Sequence, residues 1–341
     1  MKKNLVTRGG LAALAIALLA GCASGPAGGS AGASGQLDLA YFGSPVSAYT
    51  QRYVEFADDV RAATDGELDL LVRPEGELPY KPSEYVQRVG DHSVDLAGSL
   101  SSFASGECPL AGVFGLPMLV TDGEEWRAMS ESASSALEPC LSKYGATELW
   151  SYGYPTMHIF GSGKVPESIA DLAGLQIRQT GPEWTEWIRG IGATPVTIET
   201  AEVGGALQQG VIDAIISTAD TVNSRWAEEI DWVFMLDLGM LSEYTIINTS
   251  VLDGLPAESR AGLEEVSARY LAETSEHFQA ADDAAKQSLT EEHSVTVVTP
   301  SDADRKQALS IAEAGWEAWS AALAGDDGVA TLHSLRGALG K

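Results

Sequence analysis

The eleven residues 171–181, DLAGLQIRQTG, carry an arginine, Arg178, at the end of an alternating strand and just before a turn, and Pro182 then occupies the first turn of a helix that runs to Ile191. Pro195 to Ile198 reads as the next strand, Ala201 to Gln209 as a helix closed by Gly210, and Val211 to Ile216 as an apolar strand. Strands alternating with helices at this spacing are βαβ units, and they predict an α/β lobe built on a largely parallel sheet. In a very acidic chain, a cation at a strand end facing the start of a helix is a fork of donors suited to holding a carboxylate bidentately, or else one half of a surface salt bridge.

The N-terminal half repeats the pattern. Leu37 to Ala40 predicts a strand, and Tyr49, Tyr53, Phe56 and Val60 mark the core face of the helix after it. Leu68 to Val72 is a second strand, Ser83 to Val89 a short helix, and Val94 to Gly98 a third strand ending in Ser99, Ser101 and Ser102. A helix from about Gly123 to Tyr144 and strands near Glu148–Tyr152 and His158–Phe160 connect this lobe to the one containing Arg178. Pro256 to Glu291 predicts a single helix of about 50 Å, more than one lobe needs, so it is expected to brace both. Val295 to Val298 is a strand and Ser301 to Leu323 a last helix.

The N-terminus has Lys2, Lys3 and Arg8, the apolar run Leu11 to Ala20, then Gly21 and Cys22. Ten apolar residues fall short of the roughly 20 that span a bilayer, so residues 1–21 read as a signal peptide. Leu19-Ala20-Gly21-Cys22 resembles a lipobox, which implies lipidation of Cys22. Residues 22–35 follow as a tether of Ala, Gly, Ser and Pro, reaching about 20 Å as a flexible coil. The formal net charge of −27 deepens once the basic leader is removed, and it argues against nucleic acid or anionic lipid as partners. The two further cysteines of this exported chain, Cys108 and Cys140, form either one disulfide or two buried thiols.

Enzyme signatures are missing. There is no GxSxG elbow opening a helix, no SxxK and no HExxH, and the five histidines have no ligand-like spacing. The paired acids Asp58-Asp59, Glu124-Glu125 and Glu264-Glu265 point to different sides of their helices and read as solvated faces. No catalytic residue, metal site or cofactor is expected.

In order and spacing, several segments resemble the solute-binding subunits of TRAP transporters of the dicarboxylate-binding, DctP-like type. They are Thr64-Asp65-Gly66-Glu67, Glu77-Leu78-Pro79, Asp91 to Leu96, Phe114-Gly115-Leu116-Pro117, DLAGLQIRQTG, Gly192 to Val196, and Glu202-Val203 with Gln209 to Asp213. The resemblance implies a two-lobed, periplasmic-binding-protein-like α/β fold with mixed sheets, hinge strands and a long lobe-spanning helix. Lobe I would comprise 36–154 plus 243–283, and lobe II 155–242 plus 284–341. It implies a monomeric, lipid-anchored receptor on the outer face of the cytoplasmic membrane, handing a small organic acid to the small and large TRAP membrane subunits. The alternatives are a binding protein serving an ATP-driven importer or a sensor, and an exported hydrolase.

Arg178 falls where the resemblance places the grip on the ligand carboxylate. Ser101, Ser102 and Phe103, and Phe42 in like manner, follow strand ends where open α/β sheets bind ligands, and Ser217 and Thr218 end a strand directed at the cleft. Trp184 would stack on a ligand or belong to the core, and His158 would hydrogen-bond the ligand or sit satisfied in a hinge strand. Two departures bear on ligand charge: Ser217 to Asp220 lacks the amide common in this family, and Gly153 to His158 has no second arginine. A monocarboxylate with a polar or aromatic body is therefore expected.

Overall fold

The protein is described by a computed structural model over residues 35–341. The expected signal peptide, Cys22 and nearly all of the tether lie outside the described residues. The chain begins with β1 (Gly35–Tyr41), α1 (Ala48–Ala63), β2 (Leu68–Arg73), α2 (Tyr85–Gly90) and β3 (Leu96–Leu100). Two one-turn helices, α3 (Ser101–Ala104) and α4 (Leu110–Val113), lead into α5 (Gly123–Tyr144) and β4 (Ala146–Tyr154). Asp122 caps α5 through its carboxylate, and Gly145 ends it at φ 77°, a left-handed conformation that glycine adopts without strain.

The chain then crosses to a second sheet through β5 (His158–Gly161), β6 (Gln176–Gln179), α6 (Thr185–Gly190), β7 (Thr194–Thr197), α7 (Val203–Gln208), β8 (Ala214–Ser217), α8 (Ala219–Arg225) and β9 (Trp232–Phe234). It returns in β10 (Leu241–Asn248), turns through α9 (Thr249–Gly254), and runs the whole molecule in α10 (Ala257–Glu291) before β11 (Thr296–Val298) and α11 (Asp302–Leu339).

The strand order is β2-β1-β3-β10-β4 in one sheet and β11-β9-β5-β8-β6-β7 in the other. Each sheet has one strand antiparallel to its neighbours, β10 in the first and β5 in the second, and these are the strands that the crossings deliver. The two crossing segments bond to each other: Met157 N donates to Gly239 O at 2.9 Å, and Leu238 N donates to Met157 O at 2.9 Å. Paired in this way, they form a two-stranded hinge between two α/β lobes.

Two helices brace that hinge. On α10, Tyr270 bonds Asp59 of α1 in the first lobe, while Asp282 accepts the Asp220 amide at 3.1 Å in the second. The C-terminal segment, assigned on sequence to the second lobe, touches both. Trp187 of α6 donates to Ala308 O of α11, and Trp316 of α11 donates to Pro117 O of the first lobe. Helix α11 extends well past Leu323, breaking at Ala324-Gly325 and resuming to Leu339. Cys108 and Cys140 are joined in a disulfide that ties the stretch before α4 to α5.

Candidate functional site

Arg178 lies on β6 between Val196 of β7 and Ile215 of β8, so its backbone is held by the sheet on both sides. Its side chain is 3% exposed, and it reaches a pocket between the lobes. The guanidinium donates to Ile198 O and to Thr200 Oγ1, both at 3.3 Å, and among the described residues it pairs with no carboxylate. Burial lowers its pKa to about 10, partly offset by Glu199 and Glu75, so it remains a cation at neutral pH. A charged group removed from water and left without a counter-ion is costly unless something anionic completes it.

Both lobes build the rest of the chamber. Phe42, Phe103 and Tyr154 supply flat apolar walls from the first lobe, and Trp226 and Met157 close the other side. Hydroxyls of Ser217, Thr221 and Thr180 interrupt this surface. The composition suits a small body with an apolar face and a few hydrogen-bonding atoms. An outer chamber, shared through Phe103, Arg178 and Thr180, opens toward Lys81, Ser102 and Glu199.

Around the chamber the lobes are bonded to each other. Ser47 donates to Asp220 at 2.6 Å, Tyr154 and Thr221 share a hydrogen bond of 2.9 Å, and Lys81 pairs with Glu199 at 3.4 Å. Ser102 donates to Glu183, whose carboxyl is driven up to about pKa 7 by burial against the partial compensation of that bond. The lobes are therefore closed on the cavity, and several of the bonds would have to break for them to part.

Of the residues expected on sequence, the structure brings Arg178, Phe42, Phe103 and Ser217 to the inner chamber, and Ser102 to the outer one. Four others are not on the cavity wall. Trp184 is buried beneath the start of α6 with its indole nitrogen unpartnered, because the first turn of that helix points it into the core. Ser101 is fully buried, and its hydroxyl packs near Gly115. Thr218 supports the wall from behind, accepting from Tyr49 at 3.3 Å and donating to Thr221 at 3.0 Å. His158 sits in the hinge strand, accepts the Asp237 amide at 3.3 Å, and is held neutral by burial, which lowers its pKa to about 4.

Sequence reasoning did not find Tyr154, Met157, Thr200 or Arg225. Arg225 was discoverable as one of the few cations in an acidic chain, close after the Ser217–Asp220 segment. The others reach the cavity only because the crossing segments and the β7–α7 connection fold against it.

Comparison with known proteins agrees with this architecture. Residues 39–322 match the family described as bacterial extracellular solute-binding protein, family 7, DctP. The chain is 29% identical over 220 residues to the C4-dicarboxylate-binding periplasmic protein DctP of Rhodobacter capsulatus. That match covers 63% of this chain and 65% of the relative, slightly under two thirds of its length. Among solved structures, the Bordetella pertussis extracytoplasmic solute receptor DctP7, binding pyroglutamic acid, superposes with a TM-score of 0.81 at 24% identity, covering 90% of this chain and 100% of its own. A marine metagenome TRAP solute-binding protein specific for pyroglutamate gives 0.80 at 25% identity, over 89% and 99% of the two chains. The hinge, the closed lobes and the family match over most of the described chain lead to one assignment: the protein belongs to the DctP family of bacterial extracellular solute-binding proteins, which are extracytoplasmic receptors and not enzymes.

Proposed function

We propose that this receptor captures a small organic acid, a monocarboxylate, by closing its lobes around it with the carboxylate on Arg178, and delivers it to TRAP-type membrane subunits. The observation that carries the reading is the buried Arg178 guanidinium, facing an interlobe chamber with no carboxylate of the described protein to neutralise it. Closure removes water from around the guanidinium and so strengthens a bidentate carboxylate pair. The aromatic walls and scattered hydroxyls fit a compact body such as a lactam or an aromatic ring. Pyroglutamate, bound by two structural relatives, is the first acid to try.

The test is a thermal-shift screen of mono- and dicarboxylic acids followed by isothermal titration of the hits. A true ligand at a hundred times its dissociation constant adds about 2.7 kcal/mol to stability. A screen in which no monocarboxylate raises the unfolding temperature would overturn the reading. The Leu19-Ala20-Gly21-Cys22 motif supports lipid anchoring at Cys22, which intact-mass analysis of the exported protein beside Cys22→Ser would reveal as loss of a diacylglyceryl-sized adduct. Delivery to a TRAP system is tested by reconstitution of the receptor with small and large TRAP membrane subunits in vesicles, where uptake of the acid that fails to depend on the receptor would refute it.

A further inference from the structure

The inner chamber has two cations on its described wall, Arg178 and Arg225. They are not in the same state. Arg178 is without a carboxylate partner, whereas Arg225, at the end of α8 in the second lobe, pairs with Glu75 of the first lobe at 2.6 Å. Both side chains of that pair are nearly buried, at 14% and 11% exposure, and the other arm of Arg225 donates to the Phe42 carbonyl.

Glu75 is fixed in place. It occupies the turn Pro74-Glu75-Gly76-Glu77, closed by a bond from Glu77 N to Pro74 O at 3.1 Å, with Gly76 at φ 91°. Its own amide donates to Gly43 O at 3.2 Å, at the base of the loop that contributes Phe42 and Gly43 to the chamber. Of the other acids nearby, Glu199 is engaged by Lys81 and Asp220 accepts from Ser47. The inner chamber thus presents one uncompensated positive charge, and its second is spent on a carboxylate that the protein supplies itself.

We propose that Glu75 determines ligand specificity: it is a resident carboxylate that occupies Arg225 as the lobes close and so restricts the receptor to acids with one carboxylate. A ligand with a second carboxylate must either displace Glu75 from Arg225 or bury that charge unpaired, and both are unfavourable. Opening the lobes separates Glu75 from Arg225, so the restriction is imposed on closure and not on first encounter. The inference rests on the reading that Arg178 binds the ligand carboxylate.

The experiment titrates two matched pairs of acids, pyroglutamate with glutarate and benzoate with isophthalate, into wild type, Glu75→Gln, Glu75→Gln/Arg225→Gln and Arg178→Ala. Glu75→Gln keeps the side-chain shape while releasing Arg225, and Glu75→Ala gives the same readout should the amide variant be insoluble. The expected result is that wild type prefers the monocarboxylate of a pair. The preference then shifts toward the dicarboxylate by roughly tenfold or more in Glu75→Gln, the scale of one desolvated charge pair. The double variant should lose that gain, which a merely structural role for Glu75 would not produce.

If wild type binds a monocarboxylate through Arg178 but the preference is unchanged in the Glu75 variants, the specificity role is wrong and the Arg178 reading stands. Wild type that already takes both members of a pair equally refutes the specificity role in the same way. Wild type that binds no monocarboxylate of the screen, or binds one undiminished in Arg178→Ala, overturns the underlying reading and this inference with it.

Discussion

Arg178→Ala is expected to weaken binding of the cognate acid by about 2–5 kcal/mol, the range for truncating one partner of a buried charged pair, and Arg178→Lys to lose most of the same amount because an ammonium cannot present two parallel donors. Isothermal titration with pyroglutamate or the best acid from a screen measures it, and an unchanged dissociation constant would contradict the role given to this side chain. A second prediction concerns Glu243, fully buried on β10 with Tyr53 donating to it at 2.7 Å and Tyr41 at 3.4 Å. Burial raises its pKa from 4.5 to about 8, against hydrogen bonds from Tyr152, Tyr53 and Tyr41 that lower it. The folded chain therefore holds a proton that the unfolded chain releases from about pH 4.5 upward. Its contribution to stability is whole below that pH, declines by about 1.4 kcal/mol per pH unit, and is gone above pH 8. Glu243→Gln, which mimics the protonated acid, should unfold at a higher temperature than wild type at pH 8.5, with the gap closing toward pH 5. Equal melting temperatures throughout that range would mean that the carboxyl titrates normally.

Helix α5 is clamped at its C-terminal end by the Cys108–Cys140 disulfide, across a sequence separation of 32 residues. In the chain-entropy picture a closed loop of this length contributes on the order of 3 kcal/mol by restricting the unfolded chain. Reduction should therefore lower the unfolding temperature by several degrees without altering the dissociation constant of the ligand, since neither cysteine lines the cavity. Calorimetry with and without reductant, followed by titration of the reduced protein, checks both halves. Elements with strong periodicity were legible: α5 and α10 stand almost where the sequence places them, from about Gly123 and from Pro256. Strand β10 was not, because Ser242, Glu243 and Thr245 interrupt its apolar run, and those polar residues are buried only once Tyr41 and Tyr53 come from elsewhere to bond Glu243 and Thr245. The continuation of α11 was hidden for a local reason. Gly325 looks like a helix stop and does adopt φ 60°, but the chain resumes its helix because Leu332 and Leu335 are buried on the far side of the kink.

Closure is a property of the molecule as a whole, since the bonds that hold it shut join residues far apart in sequence, such as Ser47 with Asp220 and Lys81 with Glu199. The lobes are joined by the paired crossing segments and by α10 and α11, which pack on both, an arrangement suited to hinge closure. Small-angle scattering is expected to show a larger radius of gyration without ligand than with a saturating cognate acid, because the interlobe bonds alone must hold a buried, unneutralised Arg178 in the closed state. A radius unchanged by a tightly bound ligand would argue for a receptor that stays closed.

The alternation of strand and helix, the two α/β halves, the bracing helix and Arg178 as a cation to look for at the cleft could all be read along the chain, because each rests on local periodicity or on a residue type whose chemistry is unusual in its surroundings. The makeup of the cavity could not. Whether a serine or tryptophan faces the cleft depends on which side of a turn its backbone presents, and that is set by packing against elements distant in sequence: Ser101 and Trp184 turn inward while Ser217 and Phe103 do not. The charge of the site was equally out of reach, since Glu75 and Arg225 lie 150 residues apart and only the apposition of two lobes turns a turn acid and a helix-end arginine into a pair. Local sequence encodes local conformation, but the balance of charge in a cleft is a sum over both of its walls, and only folding brings the walls together.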